Sequence, residues 1–135
     1  MAISAALKFG DNDSGMYNQE YPVFSFRSHY LRNHNGVRPD ASYRCDCVRV
    51  TMPAPPKSDI RLYEWFADKS MLSGCIERVD NSLDGGEAVS TLKFENARCF
   101  SLEEEYDADN FRREVLAIEF VAEEISECDV VFHRE

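Results

Sequence analysis

Residues 115–122 read Val-Leu-Ala-Ile-Glu-Phe-Val-Ala. Leu116, Ile118, Phe120 and Ala122 fall on one side, and Val115, Ala117, Glu119 and Val121 on the other, because successive side chains of a strand point to opposite faces. This is the cleanest strand signal in the chain, and it sets the period by which the rest is read. Upstream, Ala88 to Glu95 alternates in the same way, with Ala88, Ser90, Leu92 and Phe94 together. Arg98 to Tyr106 continues through Phe100, Leu102 and Tyr106. Asp84-Gly85-Gly86 is hairpin-turn chemistry, and Cys75 to Asp80, after Ser73-Gly74, is strand-like. Asp107 to Arg113 reads as a charged turn. Glu123 to Glu135 reads as an acidic, weakly patterned tail.

Toward the N-terminus, Ile3, Ala5, Leu7 and Phe9 share a face, which predicts a half-buried strand. Asp11 to Gly15 is a turn, since Asx side chains bond their own backbone and glycine accepts positive φ. Tyr21 to Tyr30 predicts a second strand, being aromatic and β-branched. Leu31 to Ala41 is polar and aperiodic and reads as a long exposed loop, the kind that usually carries function in a compact domain. Ser42 to Met52 predicts a third strand, with Val48, Val50 and Met52 on one face and Cys45, Cys47, Arg49 and Thr51 on the other. Pro53, Pro55 and Pro56 end it, because proline cannot donate to a ladder. Ser58 offers a helix N-cap, with Asp59 in the first turn. Ile60 to Ser70 predicts the one helix. Its Ile60, Leu62, Tyr63, Trp65, Phe66 and Ala67 exceed a narrow stripe, which predicts packing on more than one side.

The sum is one domain spanning 1–135, mainly β, built as a small antiparallel barrel of about seven strands with one flanking helix; closure hides the strand edges. Hydrophobic residues at 44% and charged residues at 30% suit a globular chain. The formal charge of −10 repels phosphate backbones and disfavours nucleic acid. No apolar run approaches the ~18 residues of a membrane span. Met1 to Gly10 lacks a basic stretch followed by an apolar block, so the expectation is synthesis in the cytoplasm and any export without a cleaved signal.

Five cysteines, Cys45, Cys47, Cys75, Cys99 and Cys128, are an odd number and suit reduced thiols. Cys45 and Cys47 with His29, His34 and Cys75 are conceivable zinc ligands, but a C-x-x-C knuckle is missing and ordinary thiol packing is the expectation. His29, His34 and His133 have no spaced partner that would make a general base. The acidic run Glu103, Glu104, Glu105, Asp107 and Asp109 lacks the alternate ligands and central glycine of a calcium loop and reads as a solvated turn. Tyr63, Trp65 and Phe66 read as core or subunit interface. No catalytic residue, cofactor or metal is expected.

The ordered segments resemble a known family, the hemolysin-coregulated protein (Hcp, TssD), the tube protein of type VI secretion systems. Ala6-Leu7-Lys8-Phe9 is similar to its first strand. Tyr21 to Arg32 with Gly36-Val37-Arg38-Pro39 is similar to its second strand and long loop. Val48-Arg49-Val50 and Leu62-Tyr63-Glu64-Trp65-Phe66 resemble the third strand and lone helix, and Ser73-Gly74-Cys75-Ile76 the strand after. Thr91 to Ala97 resembles a Leu-Phe-Glu-Asn-Ala stretch common in Bacteroidetes members, and Leu116 to Ile125 the last long strand. The chain departs from the pattern in its Gly36-Val37-Arg38-Pro39, its cysteine count and its acidic end, which leaves room for a tube cap or cargo-carrying paralogue.

The resemblance implies hexameric rings of this chain stacked into a hollow tube, with sheath, spike and baseplate proteins as partners and effectors in the lumen. A domain of this length has a radius of gyration near ~14 Å and so a diameter of about 36 Å. Six such spheres in contact leave a hole of about one sphere diameter, room for a small folded cargo. Leu31, Arg32, Val37 and Arg38 are the expected ring-stacking contacts. The charge of −10 predicts that salt, by screening repulsion between acidic rings, favours stacking. Alternatives are a phage-like tail-tube protein, a monomeric ligand-binding β-barrel with an apolar cavity, and a metal-dependent enzyme.

Overall fold

A computed structural model describes residues 3–35, 38–68, 70–80, 87–109, 114–127 and 130–133. Its elements run β1 (Ile3–Asp11), β2 (Met16–Val23), β3 (Ser25–Asn35), β4 (Arg38–Pro53), α1 (Arg61–Asp68), β5 (Leu72–Asp80), β6 (Glu87–Tyr106), β7 (Glu114–Glu127) and β8 (Val130–His133). All strand pairs are antiparallel. The order across the sheet is β2-β1-β5-β6-β7-β4-β3, with the short β8 paired to β7.

That order makes a barrel. β2 and β3 are its two ends, yet one residue, Phe24, joins them in the chain. The sheet must therefore roll until its edges meet. The Phe24 N–H donates to the Thr51 carbonyl of β4 at 2.8 Å and fixes the corner. Closure is made by the chain turning this corner, not by a ladder between β2 and β3. The predicted single strand Tyr21–Tyr30 is thus two strands, because β2 ends against β1 and β3 starts against β4.

The interior collects the predicted faces: Leu7 and Phe9, Val48, Val50 and Met52, Leu92 and Phe94, and Leu116, Ile118, Phe120 and Ala122 are all buried. Phe94 and Phe120 lie 4.8 Å apart between ring centroids, and Phe9 stands edge-on to Phe94 at 6.0 Å. α1 drives Trp65 into the same cluster, 5.3 Å from Phe9 and 5.4 Å from Phe120. The Trp65 indole N–H, buried with it, donates to the Ala97 carbonyl at 3.0 Å. Burying each such large side chain contributes roughly 1.5–3 kcal/mol. The barrel interior is therefore filled by side chains, which weighs against the ligand-binding barrel.

Two irregularities redirect β6. Asn96 adopts φ 53°, the left-handed region that asparagine tolerates, and its N–H reaches the Ser73 hydroxyl. The inward positions then step from Phe94 to Ala97 and Cys99. A bulge between Cys99 and Ser101 adds Phe100 as an extra residue opposite β7. Phe100, expected inward by simple alternation, is therefore half exposed.

Other expectations change with the structure. The stretch 31–41 is not a loop: β3 runs through Asn35 and β4 starts at Arg38, with Leu31 opposite Arg44 and Asn35 opposite Arg38. A two-stranded ribbon satisfies its backbone by cross-strand bonds, so it needs no alternating pattern. Part of the expected acidic tail is also strand, Glu123–Glu127 in β7 and Val130–His133 as β8. Glu103–Glu105 belong to β6, exposed on a strand rather than in a turn. α1 starts at Arg61, and Asp59, not Ser58, accepts the Arg61 N–H at 3.2 Å. The helix buries one face, with Leu62 and Trp65, and leaves Phe66 exposed, as is Ile60 just before it. Asp84-Gly85-Gly86 lies outside the described residues.

Candidate assembly surface

β4 bonds β7 only from Val48 (opposite Phe120) to Pro53 (opposite Val115). From Cys47 back to Arg38 its one ladder partner among the described residues is β3. At ~3.3 Å per residue, Val48 to Arg38 is a ribbon of up to about 33 Å. β8 pairs with β7 beyond that point and packs against β4, and the Tyr30 hydroxyl of β3 donates to a Glu127 carboxylate oxygen of β7, so the ribbon runs past the β4–β7 ladder while its base stays on the barrel. Of the four expected stacking residues, Leu31 and Arg32 lie on β3 and Arg38 on β4, at the last described pair of the ribbon. Val37 lies outside the described residues. Reading a loop here missed the strands; the signal that remained was Gly36 between two segments able to pair.

At the other end of β4 the chain forms a half-open groove of about 360 Å³, walled by Pro55, Pro56, Tyr63 and Tyr106. Glu104, Glu105 and Glu114 stand on its rim together with Lys57. The Tyr63 hydroxyl donates to a Glu104 carboxylate oxygen. That bond, with partial burial, pushes the Tyr63 phenol up to about 12. Nearby, Arg49 holds Glu119 at 2.6 Å and Glu103 at 3.6 Å. Sequence reading did not find the groove, because Pro55 and Pro56, the helix and the end of β6 meet only in space.

The outer surface also carries apolar side chains: Met16 (73% exposed), Phe100, Ile60, Phe66 and Met71. Large apolar groups in water are commonly covered in an assembly. On the same wall, Lys8 bridges Glu20 and Glu77 at 3.6 and 3.4 Å; burial works against its charge, but Glu77 and Glu20 outweigh that and raise its pKa.

Of the residues weighed in the sequence for metal or acid–base chemistry, the side chains of His34, Cys45 and His133 lie outside what is described. Cys75 and Cys99 are buried free thiols, and Cys47 is half-buried. Burial pushes the Cys75 thiol up, and the Cys99 thiol up to about 11, so both are protonated near neutral pH. Among the described residues no three His, Cys, Asp or Glu side chains are grouped to hold a metal, and no helix is long and apolar enough to cross a membrane.

The family model for hemolysin coregulated protein Hcp (TssD) matches residues 1–135. Hcp1 from Flavobacterium johnsoniae has a similar structure, with TM-score 0.76 and 16% identity over 99% of this chain and 100% of that one. Hcp1 from Salmonella typhimurium follows at TM-score 0.70 and 11% identity, over 94% and 86%. The sheath/tube terminator of an extracellular contractile injection system, PVC, gives TM-score 0.59 and 15% identity over 93% and 92%. No curated protein matches the sequence.

Proposed function

The chain belongs to the Hcp (TssD) family, structural tube subunits of type VI secretion systems, and from that premise we propose that it forms hexameric rings that stack through the β3–β4 ribbon. The observation that carries this reading is the family match over 1–135. The structure supports it in kind: the barrel interior is filled by side chains, exposed apolar side chains remain on its outer wall, and the β3–β4 ribbon runs on past the β4–β7 ladder. The role is structural rather than catalytic. Leu31, Arg32, Val37 and Arg38 make the contact to the next ring. Sheath, spike and baseplate proteins are the partners outside the tube, and effector proteins travel in its lumen. The protein leaves the cell through the type VI machine.

The test is solution mass by light scattering at low and moderate salt. A mass near six subunits supports the ring. Arg38→Glu should then keep that mass and lose stacked rings. A clean monomer at both salts and high concentration would falsify the ring reading and favour a paralogue outside the tube. The likeness to the PVC terminator is one of fold; a phage-like tube would give the same mass and is separated by which sheath protein co-purifies.

A further inference from the structure

The β1–β2 hairpin leaves the barrel ladder before it turns. β1 pairs with β5 only as far as Phe9, opposite Gly74. Beyond that point the tip, Gly10 to Tyr17, has no ladder among the described residues except its own. Asn18 is an extra residue on β2 at this point, and a Cβ on Gly10 would lie 2.3 Å from the Met16 carbonyl oxygen. The bulge and the bare glycine let the two strands cross closely, so the tip bends over the outer wall. It reaches past β5 to β6. The Asn12 amide nitrogen donates at 3.0 Å to the Phe94 carbonyl and at 3.0 Å to a Glu95 carboxylate oxygen, and its Oδ1 accepts from the Tyr17 hydroxyl at 2.7 Å.

Cys75 lies under this tip. Its register partners are Lys8 and Lys93, on the outer face, whereas the next row, Leu7, Ile76 and Leu92, fills the interior. A side chain on the outer face of a barrel wall ordinarily meets water, yet Cys75 is 1% exposed and stands apart from the core cluster. Its cover is the hairpin: the Tyr17 hydroxyl is within hydrogen-bond reach of the thiol. Residues directly opposite on neighbouring strands have Cβ atoms ~4.5–5.5 Å apart. With the cover lifted, the thiol stands in water between two ammonium groups, a setting that favours the reactive thiolate. Glu20 and Glu77 offset part of the Lys8 charge. Cys99 is the contrast, since it belongs to the core itself.

We propose that Gly10 to Tyr17 form a latch, closed over the outer wall with Asn12 as its catch, which opens as a unit while the barrel stays folded. Opening breaks the three Asn12 bonds and the Tyr17 contact but no rung of the β1–β5 ladder. Elements held by few contacts, with an exposed end such as Met16 at 73%, are the ones that open below the global unfolding energy. The latch is a property of one subunit and stands whether or not the tube reading does. Cys75 is what opening bares, and so reports it.

The experiment treats the full-length chain with iodoacetamide at rising urea and follows each cysteine by peptide mass spectrometry. The sulfur displaces iodide, and the thiol proton passes to water. Cys75 should react faster than Cys99 and depend less on urea, because a small opening exposes little surface. Asn12→Ala should raise the Cys75 rate about tenfold, since it removes the bonds that hold the tip closed. Trp65→Phe weakens the core in the closed and open forms alike, so it should speed Cys99 more than about tenfold and leave Cys75 within about twofold. If Asn12→Ala fails to fold, Tyr17→Phe, which deletes the hydroxyl shared by Asn12 and Cys75, should raise the Cys75 rate about fivefold. Three results overturn the inference. One is a Cys75 that follows Cys99 in urea dependence and in its response to Trp65→Phe, which means that only unfolding reaches it. Another is a wild-type Cys75 as fast as a free thiol, which means that the tip is not closed. The third is a folded Asn12→Ala chain with the wild-type Cys75 rate, which means that Asn12 is no catch.

Discussion

Trp65 is the point where the helix and barrel depend on each other, and replacing it tests the packing most directly. The side chain is 1% exposed, stands between Phe9 and Phe120, and donates to Ala97. Trp65→Phe keeps an aromatic ring in place but deletes the donor, at about 1 kcal/mol. It also leaves a void of roughly 40 Å³, which at ~24 cal/mol per Å³ adds about 1 kcal/mol. The expected loss is therefore about 2 kcal/mol. Trp65→Ala removes the ring as well and should cost about 4–6 kcal/mol, enough to unfold a marginal domain. Urea unfolding followed by far-ultraviolet circular dichroism is the assay, because this is the only tryptophan and its fluorescence disappears with it. All variants must be compared at one protein concentration, since assembly stabilises the folded subunit by mass action. With a slope of ~1–3 kcal/mol per molar urea, the Phe variant should unfold about 1 M earlier. A Phe variant within ~0.5 kcal/mol of wild type would show that neither the bond nor the fit matters as the geometry says.

Gly74→Ala should be severely destabilising, because the new Cβ would sit 2.0 Å from the Lys8 carbonyl oxygen, which is backbone and cannot move aside; soluble yield and thermal melting check it, and a stable variant contradicts the β1–β5 register. Asn96→Ala should cost about 1–2 kcal/mol from the left-handed backbone alone, with Asn96→Gly milder, and melting temperatures give the ranking. Tyr21 is raised to about 12 by burial and its bond to Asp59, and Tyr63 to about 12 chiefly by its bond to Glu104. The unfolded phenols ionise first, near the ordinary value of 10.0, so the stability these groups contribute is whole below that pH and is lost as pH rises toward 12. Tyrosinate absorbance should show these two ionising late, and Tyr63→Phe should remove one late step.

Much of the core was legible in advance because period-2 alternation depends only on chain geometry. Leu7 and Phe9, Val48, Val50 and Met52, and Leu116, Ile118, Phe120 and Ala122 all turned inward as their spacing required. Phe100 did not, because a bulge is a property of two paired strands and leaves no mark in one of them. The ribbon was read as a loop because residues 31–41 are polar and carry Gly36 and Pro39, so no alternation marks them. Its residues were still singled out for assembly.

The sequence by itself determined the strand faces, the single helix, the proline stop after β4 and the family, all of which are carried by residues near one another in the chain. Only the tertiary structure decided that β2 and β3 part at Phe24 and close the barrel from its two edges. It alone placed Pro55, Tyr63, Tyr106 and Glu114 around one groove, at the far end of β4 from Arg38. Those relations come from pairing between strands distant in sequence, where the partner fixes the geometry.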